Sequence, residues 1–119
     1  MGWTVLIDEA FAEELQDLDA EVNFQLVAVS ALLVEFGPHL GRPNADTLKG
    51  SKHSNMKELR FEAADGVWRV AFAFDPVRSA VLLVAGDKSG VSEKRFYKRL
   101  IETADKRFDA HLGALKQGK

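Results

Sequence analysis

MKELRFEAADGVWRVAFAFDPVRSAVLLVAG, residues 56–86, alternates apolar and polar side chains and breaks twice, at Ala64-Asp65-Gly66 and at Pro76-Val77-Arg78. Period-two alternation marks half-buried strands, and the breaks carry turn-forming residues. Segments 56–62, 67–75 and 79–86 therefore read as three strands. Connections this short leave no room for a crossover, so the three form an antiparallel meander. Along 67–75, Trp68, Val70, Phe72 and Phe74 fall on one face, the expected core, and Arg69, Ala71 and Ala73 on the other. Along 56–62, Leu59 and Phe61 alternate with Glu58, Arg60 and Glu62. A two- or four-residue turn keeps Arg60 and Arg69 on one shared, uncovered face, whereas a three-residue turn separates them.

Upstream, residues 3–7 (WTVLI) are β-branched and aromatic and read as a first strand. Asp8 is placed to cap a helix through residues 9–18, and a second helix carries Val22, Leu26, Val29, Leu33 and Phe36 as a buried stripe before Gly37-Pro38 ends it. Residues 39–55 lack periodicity and are rich in Gly, Pro, Ser and Asn, so they read as a loop. Downstream, Ser92 caps a last helix to about Leu112, with Tyr97, Ile101, Ala104 and Phe108 on one face, followed by a short polar tail. The order β-α-α-β-β-β-α, without repeats or linkers, gives one α+β domain over residues 1–119, its antiparallel twisted sheet covered on one face by helices.

At 119 residues the chain can bury roughly two-thirds of the surface its unfolded form exposes, enough for one core. It has no cysteine, so disulfides and thiolate metal sites play no part. The N-terminus lacks a basic stretch ahead of an apolar run, and no apolar run approaches the roughly twenty residues of a membrane span. A soluble cytoplasmic protein is the expectation. Net charge is -2, yet residues 1–36 hold eight acids and no Lys or Arg, while all 16 basic groups lie beyond. Such asymmetry suggests a polyanion partner for the basic part and a different partner for the acidic one. It is equally compatible with acids that merely solvate a pair of amphipathic helices.

Five basic residues, Arg42, Lys49, Lys52, Lys57 and Arg60, gather in 40–61, and Lys88 lies just past the third strand. Two neighbouring arginines repel unless an anion lies between them, and a guanidinium grips phosphate through a bidentate fork. The alternative is that Glu58 and Glu62 pair with Arg60 and Arg69 in a solvated ladder. Arg95, Arg99 and Lys106 form a basic stripe on the last helix, and Tyr97, in its first turns, can bring its hydroxyl beside the arginines. His53 sits in the basic loop as a possible acid or base. His39 and His111 flank helix ends and, with no cysteine, give little support for a metal site.

The ordered set LGRPNADTLKG, ELRF, WRVAFAFDP, LLVAGDKSG and RFYKRLIETADKRFDAHL closely resembles the HigB-like branch of the RelE/ParE superfamily of type II toxins, over about residues 3–115. The resemblance implies a small, cofactor-free and metal-independent ribonuclease that cuts messenger RNA on the ribosome and is silenced by a helix-turn-helix (HigA-like) antitoxin. By position the resemblance carries over Arg60, Arg69, Lys49 and Lys88; joined to the reading of the residues, it gives Arg60, Arg69, Lys88 and Tyr97 as the expected catalytic set, with Lys49, Lys52, His53, Lys57, Arg95 and Arg99 as expected RNA contacts. The run of two lysines usual after the third long strand is replaced by Gly86-Asp87-Lys88-Ser89-Gly90, so only Lys88 carries over there. A gyrase-inhibiting toxin and a noncatalytic, antitoxin-binding relative are the competing expectations.

Overall fold

The computed structural model describes residues 2–118. Within them run β1 (Thr4–Ile7), α1 (Glu9–Leu15), α2 (Ala20–Phe36), a 3₁₀ turn (Gly37–His39), β2 (Ala45–Thr47), β3 (Met56–Ala63), β4 (Gly66–Phe74), β5 (Ser79–Asp87) and α3 (Glu93–Gly118). A two-residue turn fixes the register of the central hairpin: Ala64 and Asp65 both take positive φ, 50° and 63°, and Ala63 pairs with Gly66. Arg60 consequently stands directly opposite Arg69. The second turn is organised by Asp75, whose carboxylate accepts from the Val77 and Ser79 amides at 3.0 and 2.8 Å.

The sheet order is β1-β5-β4-β3-β2. The meander is antiparallel as expected, but β1 joins the far side of β5 in parallel, so the sheet is mixed. The expected loop 39–55 also contains β2, a three-residue edge strand whose Ala45 pairs with Leu59. Asp8 and Ser92 cap their helices: Asp8 accepts from the Phe11 amide and Ser92 from the Arg95 amide. Gly37 ends α2 with φ 54°, a conformation that glycine adopts without penalty.

Helices cover both faces, where one was expected. Leu26, Val29 and Leu33 of α2 pack with Phe11 on Leu59, Val70, Phe72 and Leu82. Phe96, Leu100, Ile101, Ala104 and Phe108 of α3 pack on Met56, Ala71, Ala73, Val81 and Leu83. The small alanines of β4, on the face expected to stay uncovered, instead admit α3 against the sheet. Phe36, expected in the buried stripe, is 46% exposed. Residues 113–118, expected as tail, continue α3. Ala20–His39 has the length and composition of a membrane span, contrary to the expectation, but only one side of α2 is used against the sheet.

A bulge in β5 divides the strand. Ala71 pairs with Val84 and Phe72 with Leu82, so Leu83 is the extra residue. Its carbonyl, freed from the ladder, accepts from Arg107 Nη1 at 2.8 Å. Beyond the bulge the alternation shifts by one, which brings Gly86 opposite Arg69 on the α3 face. A Cβ at Gly86 would meet the Phe96 ring at 2.8 Å, so this glycine lets α3 close down beside the arginine.

Candidate active site

Adjacent strands deliver Arg60 and Arg69 to the α3 face, and the next residue of that face on β3 is Glu58. Glu58 Oε2 accepts from Arg60 Nη1 at 3.0 Å, while Arg69 Nε lies 3.8 Å from Oε1. The first turns of α3 add Tyr97, whose hydroxyl donates to Glu58 Oε1 at 2.8 Å. One carboxylate thus holds two guanidiniums and a phenol. The solvated ladder considered for these strands is half realised: Glu58 serves both arginines, and it is 4% exposed rather than solvated.

The two arginines are not equivalent. The Arg60 side chain is 26% exposed and opens onto a pocket, whereas that of Arg69 is 7% exposed. Arg69 donates to the Trp68 carbonyl at 2.9 Å, and its Nε has no hydrogen-bond partner among the described residues. Expected on an uncovered face with Arg60, Arg69 is instead buried beside Glu58. Burial of an unsatisfied donor is unfavourable and persists where surrounding packing over-determines it.

The pocket is lined by Arg42, Lys49, Arg60, Lys94, Tyr97 and three acids, Asp46, Glu58 and Glu93. Asp46 is paired with Arg42 at 2.7 Å and Glu93 with Lys88 at 2.9 Å, and each partner cation holds its carboxyl below the usual carboxylate range. Among the described residues, no carboxylate lies within salt-bridge reach of Lys49 or Lys94. Burial, then the Glu58 carboxylate, pushes the Tyr97 hydroxyl above its ordinary value, with Arg69 opposing. Tyr97 is therefore protonated at neutral pH and is a donor, not a base. Lys88 lies 5.8 Å over the Tyr97 ring, close enough for a cation–π contact.

Of the residues singled out from sequence, the fold brings Arg60, Arg69, Lys88, Tyr97 and Lys49 together. Others it places elsewhere. Lys52 and His53 bind Asp109 farther along α3, at 2.5 and 2.8 Å. Lys57 shares the opposite face of β3 with Leu59. Arg99 lines a separate cleft with Gly86 and Phe96, and Arg95 is exposed on that same flank of the helix. Position i and i+3 of α3 explains the selection: Lys94 and Tyr97 share the flank toward β3, whereas Arg95 and Arg99 share the other. Sequence reasoning passed over Lys94 and Arg42 and took Glu58 only as a neutralising partner. The signal for Lys94 was present in its spacing from Tyr97.

The scaffold is that of the RelE-type fold: a free-state structure of an E. coli RelE toxin carrying two arginine-to-alanine changes aligns with 86% of this chain and 96% of its own, at TM-score 0.60 and 16% identity. The profile of the phage-derived Gp49-like family matches residues 13–109, and the chain belongs to that family. Two Mycobacterium tuberculosis proteins that carry toxin names are similar to it. HigB2 is 40% identical over 120 residues, covering all of this chain and 59% of its own length, and HigB3 is 46% identical over 87 residues, 73% of each. The chain thus spans somewhat more than half of the HigB2 relative. These likenesses agree with the HigB-like resemblance carried by the sequence motifs.

Proposed function

We propose that this chain is the toxin of a type II toxin-antitoxin pair and that it acts in the cytoplasm as an endoribonuclease on ribosome-bound messenger RNA. The observation that carries the reading is Glu58, one buried carboxylate joined to Arg60, Arg69 and Tyr97 at the wall of a pocket whose rim keeps two lysines without a carboxylate partner among the described residues. Relatives named as toxins support the biological setting.

RNA carries its own nucleophile, so the protein needs only to align the 2′-hydroxyl, move protons and stabilise charge. Lys49 and Lys94 draw the backbone into the pocket. Arg60, the more exposed arginine, exchanges Glu58 for the scissile phosphate and stabilises the phosphorane. The carboxylate oxygen so released takes the 2′-hydroxyl proton as the 2′-oxygen bonds to phosphorus. Tyr97 gives its proton to the departing 5′-oxygen and regains one from Glu58 once the carboxyl turns its protonated oxygen toward the phenolate. The products are a 2′,3′-cyclic phosphate and a 5′-hydroxyl, and the enzyme is returned unchanged. Arg69 acts through Glu58 as a positioning residue.

Controlled induction in bacteria, with mapping of message ends, tests the reading. Cuts in phase with codons, lost in Glu58→Gln, are expected; intact message during growth arrest, with DNA damage instead, would assign the scaffold to gyrase inhibition.

A further inference from the structure

The pocket uses one face of the sheet. On the other, α2 presents a second apolar stripe outward. Phe24 and Val27 are each 70% exposed, and Val34 on the same stripe is 39% exposed. Beside them β1 is an edge strand with Ile7 exposed, and a groove of about 210 Å³ walled by Ile7, Leu15 and Val27 runs between strand and helices. A contiguous exposed patch of this kind is what a protein interface looks like before its partner arrives.

Charge decides the occupant. The eight acids of residues 1–36 surround this patch in sequence, and among the described residues Arg107 alone forms salt bridges with any of them, through Asp8 and Glu14. Among the described residues, Glu9, Glu13, Asp17, Asp19, Glu21 and Glu35 have no cation within salt-bridge reach. A second copy packed face to face would oppose like charges, and an anionic lipid surface would be repelled. A helix with an apolar stripe and Lys or Arg along its margins suits both the apolar groove and the exposed acids of α1 and α2.

We propose that the α2–β1 face binds a basic amphipathic helix of the antitoxin, an inference that rests on the toxin reading for the partner's identity. Because α2 and the pocket lie on opposite faces of the sheet, the bound helix leaves the Glu58 cluster uncovered.

The experiment titrates the full chain with its co-expressed, purified antitoxin and repeats the titration with two double variants. Phe24→Asp with Val27→Asp, at positions too exposed to support the core, should weaken binding roughly thirtyfold or more. Lys49→Ala with Lys94→Ala should leave it within about twofold. Unchanged affinity of the Phe24 and Val27 double variant, or loss through the lysine pair, overturns the proposal. So does a dimer of the free chain that this variant dissolves, or binding of the free chain to phosphatidylglycerol vesicles that the variant abolishes. Growth arrest by the wild-type chain is scored separately: no arrest with α2-dependent binding retains the docking face and rejects the toxin reading, and arrest with α2-independent binding does the reverse.

Discussion

The two faces of the sheet share strands and differ in what they leave at the surface. The α2 face buries only hydrocarbon beneath its helix and shows water an acidic, apolar exterior. The α3 face interrupts its hydrocarbon with Glu58, Arg69 and Tyr97, three polar side chains that depend on one another. A polar cluster of this kind is costly when incomplete and specific when complete. The contrast separates what the fold needs from what chemistry needs, because α2 stabilises without a single buried charge.

The strongest way to break the comparison is Glu58→Ala. It leaves Arg69 buried without a carboxylate, so message cleavage should vanish and chemical denaturation should show a loss of about 3 kcal/mol. Undiminished stability would mean that the cluster is no more than solvated surface. Tyr97→Phe sharpens the assignment, since it removes one hydroxyl and no packing: cleavage of bound message in single-turnover assays should fall on the order of 10²-fold, with stability lowered by no more than about 1.5 kcal/mol. Arg107→Ala tests the edge where the two faces meet. Losing the cap on the Leu83 carbonyl should cost about 1–2 kcal/mol.

That variant also has a pH signature. Arg107 holds the Glu14 carboxyl below its ordinary value, so the pair stabilises the folded state above the unfolded glutamate range and less as pH falls through the folded value. Arg107→Ala should therefore flatten the acid limb of the stability profile; an unchanged limb would show the ion pair to be screened out. The smallest effect is expected from Lys94→Ala. It should change stability by less than about 0.5 kcal/mol and lower the salt slope of RNA binding by about one.

Local chemistry made much of the architecture legible. The positive-φ turn at Ala64-Asp65, the caps at Asp8 and Ser92, and the stripe from Val22 to Leu33 are all short-range signals, and the register of Arg60 against Arg69 follows from the turn alone. What escaped is long-range. The parallel pairing of β1 with β5 joins segments more than seventy residues apart, as Thr4 opposite Ser79 shows, and nothing within WTVLI encodes it. A three-residue strand such as β2 has too few positions to display a period. The gathering of Arg60, Arg69 and Tyr97 was foreseeable only as proximity. That they share Glu58 depends on how closely α3 approaches, and therefore on Ala71, Ala73 and Gly86, residues without functional groups.

The unpaired Leu83 makes β5 two half-strands out of phase. Removing Leu83 would make the ladder regular, with Val84 still opposite Ala71 and Gly86 still opposite Arg69, at the loss of the carbonyl that Arg107 holds. The added residue thus leaves the pairing intact on both sides and turns one carbonyl outward, a fixed anchor by which α3 is held to the sheet.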